Sequence, residues 1–390
     1  MENFIYNTPT KVYFGKNQVN NLESILKDLK VSKVLFCYGK TSIEKIGLKD
    51  IVKNTLNAAK IDFIELSGIE PNPKLNKVLE GIKLVKKHNI DFILAVGGGS
   101  VIDTAKSIAH GALVDFNPWL FNSHERTPVK SLGVGVILTI SAAGSCMSNS
   151  CVITNEEINV KSGFNSETNR PKFAILDPTY TYTVSSYQTA CGIVDIMMHT
   201  LERLIASPNV NNYLTDNISY GLLKSVIKAG RIVMKEPNNY DARATLMWAS
   251  SLSHNGLTGC GRPYTMRVHQ IEHALSGEFD YISHGAGLAV LWPAWCKFIV
   301  KTEPALLANL GRELFDLQTL NDYNCALECI NSFINFFKEI HMPTTLSELN
   351  VNSNHLEKTA LNFSKNKTRI VKDIIDIDYD RCLEILNIAL

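Results

Sequence analysis

An α/β domain with a Rossmann-like parallel sheet, followed by an all-helical domain, is what this sequence predicts, on three observations. Short apolar runs alternate with amphipathic stretches through the first half, the order that builds a parallel sheet with helices on both faces. After Leu176–Pro178 (LDP) strand-like runs become scarce and helical periodicity takes over. A chain of 390 residues is also longer than one hydrophobic core usually serves. The expected division is 1–178 for the α/β domain and 179–390 for the all-helical domain.

Taken in order, Lys11–Phe14, Lys33–Tyr38 (KVLFCY) and Ile61–Leu66 (IDFIEL) read as strands. Gln18–Leu29 and Ser42–Ala59 read as helices between them. Lys74–His88 carries Leu75, Val78, Leu79, Ile82 and Val85 at helical spacing,. Phe92–Val96 and Leu132–Leu138 are wholly or largely apolar, as in parallel strands buried on both faces. In the second half Gln188–Ala206, Tyr213–Met234, Tyr240–His254, Val268–Leu275, Gly285–Val300, Ala305–Leu314 and Asn324–Glu339 are expected as helices.

Composition excludes several classes. Apolar content of 45%, charged content of 20% and a net charge of +1 are those of an ordinary globular protein,. No basic run resembles a nucleic-acid footprint, and no uncharged apolar stretch is long enough to span a membrane. The N-terminal MENFIYNTPTKVYFGK lacks the charged-then-apolar order of a signal peptide,. Nine scattered cysteines without a CxxC pair point to reduced thiols in a cytoplasm.

Four stretches carry chemistry. Ala95–Ala109 (AVGGGSVIDTAKSIA) is a strand end, three glycines and a helix; glycines let a phosphate approach backbone N–H groups at the helix start. Gly97, Gly98 and Ser100 line that turn, and Asp103 is expected in the first helical turn, where a carboxylate favours the dipole. The spacing is neither GxGxxG nor a Walker loop. Gly39, Lys40, Thr41 and Ser42 follow the second strand. That position holds an acidic residue in many NAD-binding sheets; a lysine and two hydroxyls there favour NADP(H) over NAD(H). Thr139–Ser150 (TISAAGSCMSNS) follows the strand Leu132–Leu138 and reads either as a groove lining or as an ordinary polar loop.

The fourth stretch is Arg267–Gly285 (RVHQIEHALSGEFDYISHG), which holds His269, His273 and His284 in a chain with ten histidines. His269 and His273 are four apart, one face of a helix. Upstream, Asp195 and His199 repeat that spacing in GIVDIMMHTLE. An Asp and several His could hold one divalent ion, zinc or ferrous iron, although any single helical histidine is commonly a packing residue. Trp119, Phe121, Met147 and Trp292 are candidates for an apolar pocket or for plain core.

These motifs, with PTKVYFG at Pro9–Gly15, PNP at Pro71–Pro73, VITNEE at Val152–Glu157, LDPTYTYT at Leu176–Thr183 and LWPAW at Leu291–Trp295, resemble the iron-containing (group III) alcohol dehydrogenase family, and its butanol dehydrogenase and NADPH-dependent aldehyde reductase branch most of all. The resemblance covers about three quarters of the chain. It implies the dehydroquinate synthase-like fold of that family, and an enzyme moving hydride between NADP(H), or NAD(H), and a primary alcohol or aldehyde such as butanol or butanal. It also implies one divalent metal, Fe²⁺ or Zn²⁺, on Asp195, His199, His269 and His284. His273 becomes the candidate catalytic residue, relaying a proton. The cofactor residues implied are Gly97, Gly98, Ser100 and Asp103, with Thr139, Lys161, Tyr180 and the Gly39, Lys40, Ser42 loop. Homodimers or larger assemblies are implied as well, with no nucleic acid or membrane partner. Departures from the family pattern are Cys146, Ala143, Tyr264–Met266 in place of a GDW segment, and one extra residue between His269 and His284. Two other readings are a metal- and NAD-dependent lyase like dehydroquinate synthase, which needs a pocket rich in Lys and Arg, and a decayed non-catalytic homologue.

Overall fold

The computed structural model describes residues 1–206 and 211–390. They form two compact units, Asn7–Val184 and Ser185–Leu390, the latter including Met1–Tyr6. The division thus falls after Val184, where the sequence alone suggested 178. The first residues join the helical unit through Glu2 N donating to Gly261 O (2.9 Å) and Asn255 Nδ2 donating to the Tyr6 hydroxyl (3.2 Å).

The α/β unit runs β1 (Lys11–Phe14), α1 (Leu22–Asp28), β2 (Lys33–Tyr38), α2 (Ser42–Lys45), α3 (Leu48–Ala58), β3 (Asp62–Leu66), α4 (Leu75–His88), β4 (Phe92–Gly97), α5 (Gly99–Gly111), α6 (Trp119–Asn122), β5 (Gly133–Leu138), β6 (Ser150–Asn155), β7 (Val160–Asn165) and β8 (Phe173–Leu176). Six strands form an all-parallel sheet in the order β1-β8-β5-β4-β2-β3. The central strands are apolar because both faces are covered. Phe36, Leu94, Ile137 and Ile175 point to a cluster with Leu22, Leu26, Val52 and Leu56 of α1 and α3, while α4 and α5 pack together and against the strands. β2 leads outward to β3, whereas β4 leads the other way to β5, so the strand order reverses between β2 and β4. Ligands of open α/β sheets bind beyond the carboxyl ends of the strands at such a point.

Three features depart from the sequence reading. The run Ser42–Ala59 is two helices, broken at Gly47, whose φ of 69° is left-handed and cheap only for glycine. Gln18–Asn21 is a 3-10 turn before α1. The β6–β7 hairpin and β8, absent from the sequence reading, complete the unit; the hairpin pairs antiparallel over Ser150–Asn165 and bridges the loop after β3 through Thr154 N donating to Pro73 O (2.8 Å).

The described residues of the other unit carry nine α-helices: α7 (Ser186–Leu204), α8 (Tyr213–Lys235), α9 (Tyr240–His254), α10 (Arg267–Glu278), α11 (His284–Ile299), α12 (Pro304–Phe315), α13 (Asp322–Glu339), α14 (Ser353–Phe363) and α15 (Tyr379–Ile388). Helix α7 is buried nearly all round, from Thr189 to Leu204, and α11 is buried from Gly285 to Cys296. A helix apolar on every side belongs at the centre of a bundle. These two pack directly on each other, with α10 against α11. No described helix is long and apolar enough to cross a membrane.

Candidate functional site

Helices α7, α10 and α11 bring together the four side chains that the resemblance implied as ligands. Asp195 and His199 sit one turn apart on α7, His269 in the first turn of α10, and His284 at the first position of α11. Asp195 Oδ1 is the hub. It lies 3.1 Å from His199 Nδ1, 3.6 Å from His269 Nε2 and 3.9 Å from His284 Nε2. Asp195, His199 and His269 are about 95% buried. Helix α11 reaches the cluster because residue 285 has no side chain: a Cβ there would stand 2.1 Å from the backbone oxygen of Cys191.

Two further carboxylates hold the rings. Glu202 Oε2 bonds His269 Nδ1, and Glu272 Oε2 bonds His284 Nδ1, both at short range. Each bond engages Nδ1 and leaves Nε2 as the ring nitrogen facing Asp195,. Glu202 also accepts from Val268 N (2.5 Å) and His269 N (3.3 Å), so a residue of α7 caps the start of α10. His273, the sequence candidate for proton transfer, is half-buried, with its ring 5.5 Å from that of His284 and 6.5 Å from that of His269. His254 packs edge-on against His199 at 4.0 Å between ring centres.

The electrostatics follow from burial and these neighbours. At Asp195 burial opposes ionisation, but His199, His269 and His284 outweigh it and hold the carboxyl well below its usual range. At His269 burial disfavours the cation, yet Glu202 and Asp195 prevail and lift it to about 9. Burial keeps His199 down at about 4 and His254 well below its ordinary value.

The donor set fits a divalent cation. Asp195 Oδ1 and His269 Nε2 are buried and have no hydrogen-bond partner among the described residues, an arrangement that is costly unless something cationic lies between them. Around them lie further buried carboxylates, Glu202 and Glu272 on the histidine rings and Asp373 on the Arg267 guanidinium.

In the α/β unit the sequence-predicted residues gather at the carboxyl ends of adjacent strands. Gly39 follows β2, Gly97 ends β4, Gly98 precedes α5, Ser100 lies in its first turn, and Thr139 follows β5, its N–H bonded to Gly97 O (3.1 Å). Gly98 packs so near Ile140 that a Cβ would meet its Cγ2 at 2.4 Å. Tyr180 lies beyond β8 in the 3-10 turn Pro178–Thr181, and burial raises its phenol. Lys161 on β7 donates to Asn72 Oδ1 of the PNP loop (3.1 Å). Lys40 forms an exposed pair with Glu70 (2.6 Å).

Asp103 requires a correction. The helix begins at Gly99, which puts Asp103 in the second turn, away from the free N–H groups. Its carboxylate accepts from Val152 N (3.0 Å) and lies 3.9 Å from the fully buried Lys106. Burial raises the Asp103 carboxyl, and Lys106 opposes that rise. Lys106 Nζ in turn donates to Ser148 O (3.1 Å) and Ser150 O (2.8 Å), tying the loop after β5 to α5. Phe121, Met147 and Trp292 are buried core residues, and Trp292 stacks on Trp295.

Glu202, Glu272, Arg267, Asp373 and Asn72 belong to these clusters and were not singled out as site residues in the sequence. Glu202 had a usable signal: it lies three residues after His199 and seven after Asp195, on the same helical face.

One unit with a parallel sheet whose switch-point strand ends are lined by glycine, and another with a buried Asp/His cluster suited to a dication, are together the equipment of a metal-dependent nicotinamide dehydrogenase. Comparison with known proteins gives the family. Residues 9–178 match the iron-containing alcohol dehydrogenase family and residues 189–390 the C-terminal region of the Fe-containing alcohol dehydrogenase family. The chain is 38% identical to the NADH-dependent butanol dehydrogenase A of Clostridium acetobutylicum, covering 99% of both chains, and 36% identical to the NADPH-dependent aldehyde reductase YqhD of Escherichia coli, covering 89% of both. The crystal structure of NADH-dependent butanol dehydrogenase A from Thermotoga maritima superposes with a TM-score of 0.96 at 34% identity, over 100% of this chain and 99% of that one. The chain belongs to the iron-containing alcohol dehydrogenase family. It is an NAD(P)-dependent alcohol dehydrogenase and aldehyde reductase, and its family membership implies a divalent metal.

Proposed function

We propose that this enzyme acts chiefly as an aldehyde reductase on short primary substrates such as butanal, with NADP(H) favoured over NAD(H). One divalent metal, Fe²⁺ or Zn²⁺, would be held by Asp195, His199, His269 and His284. The observation that carries the reading is the ring of three imidazoles around the buried Asp195 Oδ1. An oxygen and nitrogen donor set of this kind suits either ion.

Bound there, the ion supplies Lewis acidity toward the substrate oxygen. The dinucleotide supplies the hydride. The chain's own residues do the rest. Glu202 and Glu272 keep His269 and His284 in one tautomer. His273, half-buried beside them, passes the proton between the reacting oxygen and solvent. In the other unit Gly97, Gly98 and Ser100 offer backbone to the pyrophosphate, with Asp103, Thr139, Lys161 and Tyr180 completing the binding residues.

Cofactor preference rests on Gly39, Lys40 and Ser42. No carboxylate stands at residues 39–42 to repel a 2′-phosphate, and the Lys40–Glu70 pair is exposed and easily exchanged for a phosphate contact,. The named relatives use both cofactors: the butanol dehydrogenases NADH, the aldehyde reductase NADPH. The lyase reading loses ground because Arg262 and Arg267 are buried and paired with Asp216 and Asp373, which removes them as anchors for a phosphorylated acid. A homodimer or larger assembly is expected, and the nine free cysteines suit a reducing cytoplasm.

The test is metal analysis of protein purified without chelator, with NADPH and NADH oxidation on butanal followed in the same sample. One ion per chain and aldehyde-dependent oxidation, faster with NADPH, is the expected result. Retention of the ion by the double variant His269→Ala/His284→Ala would overturn the ligand assignment.

A further inference from the structure

Beyond the ligands and the two carboxylates touching them, a chain of buried charge runs from His269 to the C-terminal part of the molecule. Arg267, the residue that opens α10, is fully buried. Its Nε pairs with Asp373 Oδ1, its Nη1 donates to Glu202 O (3.4 Å), and its guanidinium lies 4.9 Å from the centre of the Trp295 ring. Asp373 is as enclosed as its partner, and its second oxygen accepts from Trp295 Nε1 (3.1 Å). It sits in a small closed loop where Val371 and Ile377 exchange backbone hydrogen bonds of 2.9 and 2.8 Å.

One carboxylate therefore grips the first residue of α10 and the middle of α11, while Arg267 lies against Glu202 of α7. Those three helices carry the whole Asp/His set. A buried ion pair of this kind is a poor device for stability, since desolvation consumes most of its attraction. Its geometry suits positioning: a planar guanidinium held from one side by Asp373 keeps a fixed charge beside Glu202, and Glu202 holds His269 Nδ1.

We propose that Asp373 and Arg267 are positioning residues for the metal site, acting on His269 through Glu202, so that the loop 371–377 sets how tightly the ion is retained. The inference rests on the metal-site reading above. Partners one shell beyond a ligand typically govern metal affinity by 10- to 100-fold.

The experiment measures Zn²⁺ affinity of the full chain by competition with a chelator, alongside circular dichroism and the visible spectrum of the Co²⁺-loaded protein. Asp373→Asn keeps the shape and an oxygen for Trp295 but removes the charge. It should weaken Zn²⁺ by a few-fold, less than the ~10-fold or more expected of a residue touching a ligand, and alter the Co²⁺ spectrum at saturation. Glu202→Gln should weaken Zn²⁺ more, and the double variant should be no worse than Glu202→Gln alone, because the distant residue acts through the near one. If Asp373→Asn does not fold, Arg267→Lys decides by the same readings, since it keeps the charge and loses the fork. Unchanged Zn²⁺ affinity and Co²⁺ spectrum in the folded variant, or additive losses in the double variant, would overturn the inference alone. Failure of the wild-type chain to take up Zn²⁺ would overturn the metal-site reading and this inference with it.

Discussion

The two units prepare for their ligands by opposite means. In the α/β unit the candidate cofactor edge is mostly backbone: Gly39, Gly97 and Gly98 withhold side chains, Ser100 and Thr139 add small hydroxyls, and the exposed Lys40 is paired with Glu70. In the helical unit the candidate metal centre is almost wholly side chain, and its charges are buried. Backbone can be offered to a phosphate at little cost, because N–H groups at a strand end and helix start are free in any case. Burying Asp195, Glu202 and Glu272 is expensive and is tolerated only if every charge has a partner. The first arrangement should therefore be forgiving of change, and the second should fail steeply.

The steepest failure is expected on removing a ligand. His199→Ala should abolish stoichiometric metal and lower aldehyde reduction by about 10³-fold or more, since Lewis-acid stabilisation is worth several kcal/mol. Metal analysis beside NADPH oxidation checks it. Full activity in a metal-free variant would end the contrast between the units.

Gly285→Ala tests whether the centre depends on helix approach as well as on ligand chemistry. A Cβ at 2.1 Å from Cys191 O must push α11 from α7 and carry His284 away from Asp195. Overpacking of this sort costs about 2 kcal/mol, and metal retention should fall with thermal stability. A variant that loses stability but binds Zn²⁺ as tightly as the parent would separate the packing from the site.

These two positions also mark what the sequence could and could not reveal. The spacing of Asp195 and His199, and of the apolar strands β2, β4 and β5, is local, and local periodicity survives translation into structure. That α7, α10 and α11 converge is not local: Glu202 meets His269 across 67 residues, and Asp373 reaches Arg267 from beyond α14. No pattern in single-chain spacing encodes such meetings. The β6–β7 hairpin escaped for another reason, since its polar alternation around VITNEE resembles a loop until Thr154 is seen bonded to Pro73. Asp103 looked like a first-turn residue because three glycines blur where a helix starts.

On the forgiving side, Gly39→Asp should fold normally, as the nearest neighbour of an added Cβ is Ile69 O at 3.4 Å. The new carboxylate would repel a 2′-phosphate and accept the ribose hydroxyls. The ratio of kcat/KM for NADPH to that for NADH should fall about tenfold, or 1.4 kcal/mol. An unchanged ratio would remove these residues from cofactor selection.

The smallest effect is expected from a charge on the α/β surface. Glu65 on β3 is bonded by Tyr38 and paired with Lys53 at 2.8 Å and Lys49 at 3.7 Å. Burial raises its pKa, but Lys53, Tyr38 and Lys49 outweigh that and leave it below the ordinary 4.5. A carboxyl depressed in the folded state binds fewer protons than in the unfolded chain. Its stabilisation is therefore present above pH 4.5 and drains away as pH falls through the folded value. Because the side chain is 29% exposed, solvent screens the pair, and Glu65→Gln should cost only about 0.5 kcal/mol at pH 7. Denaturant unfolding of parent and variant at pH 7 and near pH 3 checks both size and sign: the gap should close in acid. A gap of several kcal/mol, or one that widens in acid, would mean that partly exposed charge on the α/β unit is as unforgiving as the buried charge of the metal centre, and the contrast between them would fall.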